Sequence, residues 1–241
     1  MTRTMEKKRI YAADDEANIR EILAVFLKEA GYEATVFETG DELLRAFAAL
    51  PADMVILDIM MPGTDGITIC RELRKISSVP IIILTAKETE ADFMIGIASG
   101  GDDYLIKPFS PSVLVMRIKA LFRRIEMEHA GETEKEEVRY GDLIYSASRH
   151  GVFCGETSLG LTELELAFLR FLLEHADQSV SRETLLDEVW GFDKETETRV
   201  TDETVRRIRK KLREAKSRVT VVTVWGYGYR LGEIQQDPET I

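Results

Sequence analysis

The chain has 241 residues, of which 44% are hydrophobic and 31% charged, a composition typical of a globular protein with room for two ordinary domains. No apolar run approaches the length of a membrane span, so the sequence predicts no membrane segment and no membrane partner. A net charge of −11, taken alone, argues against a nucleic-acid partner, although the distribution of charge matters more than its sum.

The start of the chain and its cysteines bear on the compartment. The first nine residues are polar and charged and no apolar signal-peptide core follows them, so we expect a cytoplasmic location. Cys70 and Cys154 lie far apart, and neither has a second cysteine near it in the sequence. They are most simply small, partly buried side chains in a reducing compartment.

Short apolar runs alternate with amphipathic segments through the first half of the chain. Continuous apolar runs are typical of strands buried on both faces, and their alternation with helical patterns indicates a parallel sheet. The pattern predicts an α/β domain with a doubly wound, five-stranded parallel sheet and five helices. The five runs lie at 10–13, 34–37, 54–57, 81–84 and 104–106.

Polar side chains follow four of these five strands. In an open parallel sheet the carboxyl ends of the strands line one edge, where ligands bind. We therefore expect a cluster of three carboxylates, one hydroxyl and one amine at that edge. Its members are Asp14, Asp15, Asp58, Thr85 and Lys107, with Glu16 next to the first two.

Such a cluster favours a cation and a phosphoryl group. Unit charges about 4 Å apart repel by roughly 4 kcal/mol at an effective dielectric of 20, and Mg²⁺, which prefers oxygen ligands, would relieve this repulsion. Asp58 follows a central strand and is the best candidate for a nucleophile on phosphorus. Lys107 can then pair with the phosphoryl group and Thr85 can donate a hydrogen bond to it. The alternative is a set of strand-end carboxylates that only face solvent.

Four segments of this half of the chain resemble the receiver domain of bacterial response regulators. The resemblance covers about residues 8–124 and implies a flavodoxin-like fold, with Asp58 accepting a phosphoryl group from a sensor histidine kinase. It also implies Mg²⁺ ligation by Asp15, Asp58 and the Met60 carbonyl, with Asp14 assisting through water or a more distant contact. The segments are Asp14-Asp15-Glu16, Asp58-Ile59-Met60-Met61-Pro62-Gly63, Leu84-Thr85-Ala86 and Gly101-Asp102-Asp103-Tyr104-Leu105-Ile106-Lys107-Pro108-Phe109.

The same resemblance implies a conformational switch. Thr85 and Tyr104 match a pair in which the hydroxyl moves to the phosphoryl group and the aromatic ring turns inward. By itself, Tyr104 would more often be an ordinary aromatic residue of an edge strand. Gly101 stands where receivers commonly have alanine.

The second half of the chain has a different pattern. We place a charged linker at residues 125–137 and a second domain at 138–234. Short alternating segments over 139–161 predict a small antiparallel sheet. Three helical patterns follow, the first opened by the capping box of Thr162 and Glu165, and the chain then returns to a strand hairpin around Gly226.

Basic residues are concentrated in the third of these helices. Arg206, Arg209, Lys210 and Arg213 recur at three- and four-residue spacing and should share one side, which suits the major groove of DNA. A solvated charged helix is the alternative. Eight basic residues stand against Glu214 alone between Arg206 and Arg218: Arg206, Arg207, Arg209, Lys210, Lys211, Arg213, Lys216 and Arg218.

The order of sheet, three helices and hairpin resembles the OmpR/PhoB-type winged helix, a small α+β domain. The resemblance implies that Arg206 contacts a base and that Thr223 contacts the DNA backbone, and it adds Arg207 and Arg230 to the expected DNA-binding set. Members of this family often have an arginine directly before the glycine of the wing, which is Gly226 here; this chain has Trp225 at that position. The acids around the start of the helix, Glu195, Glu197, Asp202 and Glu203, should repel phosphate. The motifs are Leu161-Thr162-Glu163-Leu164-Glu165, Val189-Trp190-Gly191, Val205-Arg206-Arg207-Ile208-Arg209-Lys210-Lys211-Leu212 and Thr223-Val224-Trp225-Gly226-Tyr227-Gly228-Tyr229-Arg230.

These resemblances imply a response regulator that is phosphorylated, dimerises through its receiver and binds tandem promoter sites as a partner of RNA polymerase. It would not be an enzyme, apart from Mg²⁺-dependent self-phosphorylation and autodephosphorylation at Asp58. One alternative is a Mg²⁺-dependent phosphohydrolase, although such enzymes usually place a second acid where this chain has Met60. Another is a phosphorylation-controlled adaptor that binds protein, with the basic helix only a solvated face.

Overall fold

The computed structural model describes residues 7–86, 100–130, 137–190 and 198–234. The chain divides into two compact units, Met1–Lys119 and Ala120–Ile241. Within the described residues, no helix is both long enough and apolar enough to cross a membrane.

The first unit contains the predicted parallel sheet. Its strand order is β2-β1-β3-β4-β5, and the order reverses between β1 and β3, where open α/β sheets bind their ligands. The strands are β1 (Arg9–Ala13), β2 (Glu33–Phe37), β3 (Met54–Asp58), β4 (Ile81–Ala86) and β5 (Asp103–Lys107). The described helices of this unit are α1 (Ala17–Glu29), α2 (Gly40–Ala49), α3 (Gly66–Ile76) and α4 (Pro111–Ala130), the last continuing past Lys119.

The apolar runs form this sheet because both of its faces are covered. Every residue of β3 is buried, and the first five of β4 are buried too, as their unbroken apolar sequences predict. The edge strand β2 instead alternates exposed and partly buried positions. Side-chain caps fix two helix starts, since Thr39 accepts a hydrogen bond from the Glu42 amide and Asp65 from the Thr68 amide.

The structure does not describe the fourth predicted helix, and it differs in part from the predicted linker. Residues 87–99, between β4 and β5, lie outside the described part of the chain, and so does the helix predicted there. Helix α4 runs to Ala130, so residues 125–130 of the predicted linker are helical. No glycine or proline interrupts 112–130, which explains why the helix continues. Linker residues 131–136 lie outside the described residues, and the predicted domain limits stay predictions.

The second unit has the predicted order of sheet, three helices and hairpin. A four-stranded antiparallel sheet of β6 (Glu137–Tyr140), β7 (Leu143–Ser146), β8 (Gly151–Cys154) and β9 (Thr157–Ser158) comes first. The helices are α5 (Glu163–Glu174), α6 (Arg182–Trp190) and α7 (Thr198–Glu214). A three-stranded sheet of order β10-β12-β11 completes the unit, from β10 (Val180–Ser181), β11 (Val219–Val224) and β12 (Gly228–Glu233).

Helix α7 is held on its unit by an apolar stripe. Val205, Ile208 and Leu212 are buried at helical spacing. Trp190 is buried edge-on to Phe168, with ring centroids 6.1 Å apart, and so belongs to the core of this unit. Phe192, Glu195 and Glu197 lie outside the described residues.

One glycine is required where two strands meet in this unit. A Cβ at Gly228 would lie 2.0 Å from the carbonyl oxygen of Val180 on the neighbouring strand, so no side chain fits there. At this position β12 pairs with β10, with Ser181 opposite Gly228.

Candidate functional site

The predicted acidic residues meet at one edge of the parallel sheet. Asp58 is the last residue of β3, Asp14 follows β1, Thr85 lies near the end of β4 and Lys107 ends β5. Because β1 and β3 are neighbours at the point where the strand order reverses, their terminal carboxylates converge. The structure therefore brings together, at this edge, the residues that the sequence placed there.

Lys107 lies between the two buried carboxylates. Its Nζ is 2.7 Å from Asp14 Oδ2, 2.8 Å from Asp58 Oδ2 and 3.2 Å from Glu16 Oε1. The side chains of Asp14 and Asp58 are 0% and 4% exposed, and that of Lys107 is 12% exposed. A cationic side chain thus occupies the space where two negative charges would otherwise repel each other.

The negative charge of Asp14 is only partly compensated by its neighbours. Burial raises the pKa of Asp14 and the neighbouring charge of Asp58 adds to this, so that hydrogen bonds from Lys107 and the Glu16 amide only partly offset the shift. Burial would lower the pKa of Lys107, but its contacts with both aspartates outweigh burial and hold the pKa above its ordinary value. Lys107 therefore stays charged, while the protein disfavours the negative charge of Asp14.

The three aspartates form a donor set that suits a hard cation. Asp14, Asp15 and Asp58 can each offer a carboxylate oxygen within 4.8 Å of the others, and Asp15 is exposed while the other two are buried. Oxygen donors with one open side fit Mg²⁺, which keeps several of its waters. The part expected of the Met60 carbonyl stays a prediction; the Met60 amide donates to Asp58 Oδ1 at 3.4 Å.

Sequence reasoning missed the residue that fixes the acidic loop. Arg20 Nη1 donates hydrogen bonds to the carbonyls of Asp14 at 2.9 Å and Asp15 at 2.7 Å. The only signal in the sequence was an arginine in the first turns of the helix after the acidic segment. Arg20 holds the backbone of these two residues in place, which preorganises the cluster.

Both residues of the predicted switch pair are buried, Thr85 near the carboxyl end of β4 and Tyr104 near the start of β5. Thr85 is 3% exposed and its hydroxyl donates weakly to the Ala86 carbonyl at 3.4 Å. The Tyr104 ring is 1% exposed, and its hydroxyl donates to the Gly101 carbonyl at 3.3 Å. A Cβ at Gly101 would lie 2.6 Å from Tyr104 Oη and 2.7 Å from Ile83 Cγ1. The glycine therefore provides the space in which the ring is buried.

The basic helix α7 does not present all of its predicted residues to solvent. Arg206, Lys210 and Arg213 are exposed. Arg209 is half-buried and bridges the helix to the hairpin, since its Nε donates to the Val221 carbonyl at 2.7 Å and its Nη2 to Thr223 Oγ1 at 2.8 Å. Two residues expected to contact DNA separately are thus bonded to each other.

Arg207 is not positioned for the predicted DNA contact. Its side chain is 10% exposed and lies 3.3 Å from Glu165, a buried acid of α5 that also accepts a 2.6 Å hydrogen bond from Lys211. Burial alone would raise the pKa of Glu165, but the charges of Arg207 and Lys211 and the hydrogen bonds from Lys211 and the Thr162 amide hold it below its ordinary value. The Thr162–Glu165 capping box is present as predicted, and it also organises this ion cluster.

The two described acids at the start of α7 are paired. Asp202 accepts hydrogen bonds from Tyr229 and from Arg182 Nε, the latter at 3.0 Å, and Glu203 accepts from Arg206. Each of these acids therefore has an arginine beside it, and the expected repulsion of phosphate stays a prediction.

The β11–β12 hairpin, which is the wing of the winged helix, carries two residues singled out in the sequence. They are Arg230, an expected DNA contact, and Trp225, which replaces an arginine. Arg230 is exposed on β12. Trp225, at the tip of the hairpin, is 92% exposed.

Comparison with known proteins agrees with both units. A family model described as "Response regulator receiver domain" matches residues 10–119, and one described as "Transcriptional regulatory protein, C terminal" matches residues 155–231. The chain belongs to the OmpR/PhoB-type response regulators, which combine a receiver with a winged-helix DNA-binding domain and regulate transcription.

The similarity to curated relatives extends over nearly the whole chain. The transcriptional regulatory protein ResD of Bacillus subtilis is 39% identical, over 95% of this chain and 98% of its own length. The DNA-binding response regulator MtrA of Mycobacterium tuberculosis is 38% identical, over 94% of this chain and 97% of its own length. A solved structure of a RitR mutant matches with a TM-score of 0.76 and 27% identity, covering 94% of this chain and 99% of that one.

Proposed function

We propose that this response regulator accepts a phosphoryl group on Asp58 from a sensor histidine kinase, with Mg²⁺ held by Asp14, Asp15, Asp58 and the Met60 carbonyl. The observation that carries the proposal is the position of Lys107 Nζ, within 2.8 Å of both buried carboxylates at the strand ends. A single carboxylate at a strand end would be ordinary, but a buried pair that shares one lysine is a costly arrangement. Such arrangements are concentrated at functional sites.

The chemistry assigned to the site is phosphoryl transfer to a carboxylate. A carboxylate oxygen of Asp58 attacks the phosphorus of the donor phosphohistidine, the new P–O bond forms and the P–N bond breaks, and the imidazole leaves. Bound Mg²⁺ would supply neutralisation of the phosphoryl oxygens. Lys107 can follow the charge onto the phosphoryl group, and the Thr85 hydroxyl is buried at the next strand end, where it can donate a hydrogen bond.

The output step couples this site to DNA. Phosphorylation would hold Thr85 and Tyr104 in the inward arrangement and favour pairing of two receivers. Two DNA-binding units would then occupy tandem half-sites about one helical turn apart and act with RNA polymerase. To move such a switch from 1:99 to 99:1, phosphorylation must supply roughly 5.5 kcal/mol of differential stabilisation. A cytoplasmic location fits these partners.

The test of the phosphoacceptor is labelling by acetyl phosphate in Mg²⁺, followed by intact-mass spectrometry. The wild type should gain one phosphoryl group, and Asp58→Asn should gain none because its amide is not a nucleophile. The matched control is Asp65→Asn, which makes the same change at an exposed helix cap outside the cluster and should still be labelled. Labelling of Asp58→Asn to the wild-type extent would contradict the assignment.

The same preparation separates the proposal from its two rivals. We propose no enzymatic activity beyond self-phosphorylation and autodephosphorylation at Asp58, so sustained release of phosphate from a small phosphoester would favour a phosphohydrolase. DNA binding should weaken steeply as salt rises, because basic residues displace counterions from the duplex. Failure to shift any duplex at low salt would favour the protein-binding adaptor.

A further inference from the structure

Glu203 forms an ion pair with the arginine expected to contact a base. Arg206 Nε lies 2.9 Å from Glu203 Oε1 and 2.7 Å from Oε2, and Arg206 Nη2 lies 2.7 Å from Oε1. The Glu203 side chain is 7% exposed, whereas that of Arg206 is 61% exposed. The carboxylate is thus buried in the domain while the guanidinium reaches out of it.

This contact uses one particular edge of the guanidinium. Of the five N–H donors of an arginine, the pairing engages the Nε hydrogen and one on Nη2. The remaining hydrogens on Nη1 and Nη2 form the end-on edge. That edge can donate two parallel hydrogen bonds to O6 and N7 of a guanine in the major groove.

A neighbouring pair on the same helix shows that this arrangement is not simply a surface ion pair. Lys210 and Glu214 lie 3.8 Å apart with side chains 70% and 63% exposed, so solvent screens both charges and neither is held. The buried Glu203 instead restricts the rotamers of Arg206 before DNA arrives, which lowers the entropy cost of binding. It also offsets the positive charge that Arg206 would otherwise offer to any phosphate.

We propose that Glu203 is a specificity-determining positioning residue, which directs the end-on edge of Arg206 toward a guanine and limits the contacts of Arg206 with the phosphate backbone. The proposal rests on the proposed DNA contact of Arg206. It gives Glu203 a role other than repulsion of DNA: Glu203 lowers non-specific attraction and raises discrimination at one base pair.

The experiment selects duplexes with a randomised central segment, using the full-length chain after treatment with acetyl phosphate and Mg²⁺. Selected pools are sequenced for wild type, Arg206→Ala, Glu203→Gln and the double variant. Arg206→Ala should reduce the preference for guanine at one position of the half-site by roughly tenfold. Glu203→Gln should reduce it at the same position by roughly threefold or more. The matched control, Glu214→Gln, removes one acid from the same helix and should leave that preference unchanged.

The salt dependence of binding to a fixed duplex of unrelated sequence provides the second readout. Glu203→Gln should steepen the slope of log affinity against log salt by up to about 0.9, the increment for one added phosphate contact. In the Arg206→Ala background this increment and the change in base preference should both vanish, whereas a general structural effect of Glu203 would persist.

Three outcomes would overturn the proposal. If Arg206→Ala alters no base preference, the proposed contact of Arg206 fails and the role of Glu203 fails with it. If Arg206→Ala alters the preference but Glu203→Gln does not, only the positioning role is wrong. If Glu203→Gln has the same effect with and without Arg206, the effect is structural. Urea unfolding followed by tryptophan fluorescence confirms that each variant is folded.

Discussion

Two buried carboxylates, one in each unit, have opposite charge balances. Asp14 is 0% exposed and Glu165 is 1% exposed, and each has a lysine Nζ within 2.7 Å. The pKa of Asp14 is nevertheless raised above its ordinary value, whereas the pKa of Glu165 is lowered. Burial acts in the same direction on both groups, so the difference lies in their neighbours.

Their neighbours distinguish a binding site from a structural ion cluster. Glu165 is compensated by two cations, Arg207 and Lys211, and by the Thr162 amide. Asp14 shares its single lysine with Asp58, a second acid whose charge opposes its own. A carboxylate cluster that the protein leaves short of positive charge is suited to an external cation, and a fully compensated carboxylate stabilises the fold.

The largest expected effect is on stability, at the ion cluster that Glu165 forms with Arg207 and Lys211. Glu165→Gln should lower the free energy of unfolding of the second unit by about 3 kcal/mol or more, because it leaves Arg207 and Lys211 without their buried anion. Urea titration followed by tryptophan fluorescence measures this, since the two tryptophans, Trp190 and Trp225, both lie in this unit. The control is Glu174→Gln, which breaks a pair with Arg170 at the end of the same helix and should cost about 0.5 kcal/mol or less.

The pH dependence of the same variant sharpens this prediction. Because the folded-state pKa of Glu165 is lowered, its contribution is fully present above its ordinary value of 4.5 and is lost as the pH falls below that value. The difference in the free energy of unfolding between wild type and Glu165→Gln should therefore become smaller as the pH falls. A constant gap between pH 7 and pH 4 would show that the charge of Glu165 is not what stabilises the unit.

The next largest effect concerns Asp14, the buried carboxylate that shares its lysine with a second acid. Because the folded-state pKa of Asp14 is raised, its ionisation costs stability; this cost is absent below the ordinary value of 3.8 and grows as the pH rises through the folded-state pKa. At pH 7 without metal, Asp14→Asn should be at least as stable as wild type. Mg²⁺ at roughly a hundred times its dissociation constant should stabilise wild type by about 2.7 kcal/mol, and this gain should shrink strongly in the variant.

Calorimetry of the full chain with and without Mg²⁺ tests this prediction. Asp15→Asn is the comparison variant, since Asp15 is exposed and should lose the response to Mg²⁺ without a change in metal-free stability. A metal-free Asp14→Asn protein less stable than wild type would indicate that Asp14 is a structural carboxylate like Glu165.

The smallest expected effect lies just before the start of β5, at the sheet edge opposite the acidic cluster. Gly101→Ala places a methyl group 2.6 Å from Tyr104 Oη, so either the ring moves outward or the site is overpacked, at a cost of about 1–3 kcal/mol. A crystal structure of the variant would show the ring position. In a Tyr104→Phe background the substitution should cost less, because the nearest atom is gone. Equal costs in the two backgrounds would assign the clash to Ile83 instead.

The acidic cluster could be predicted from the sequence because of strand geometry. Residues at the carboxyl ends of buried parallel strands must lie at one sheet edge, so the sequence alone predicts that Asp14, Asp58 and Lys107 lie together. The contacts of Arg20 with the loop carbonyls could not be predicted in the same way. They depend on where the first helix lies over the edge, and hydrophobic periodicity does not specify this.

The basic helix was harder to interpret at the level of single residues. Helical spacing placed Arg206, Arg209 and Arg213 on one side, but the hairpin approaches that side and engages Arg209. Arg207, one residue from Arg206, instead pairs with Glu165 on another helix. Charge counts therefore located the basic helix, but they did not show that Arg207 and Arg209 have partners within the unit.

The sequence by itself determined the two domain types, the strand ends that carry the acidic cluster and the helix that carries the basic residues, because each follows from local periodicity and chain order. Only the tertiary structure decided how each charge is compensated. Whether Arg207 faces solvent or the buried Glu165, and whether Arg209 faces solvent or the hairpin, depends on distances of a few ångströms between side chains. Those distances are set by packing between elements, which no single segment of the chain encodes.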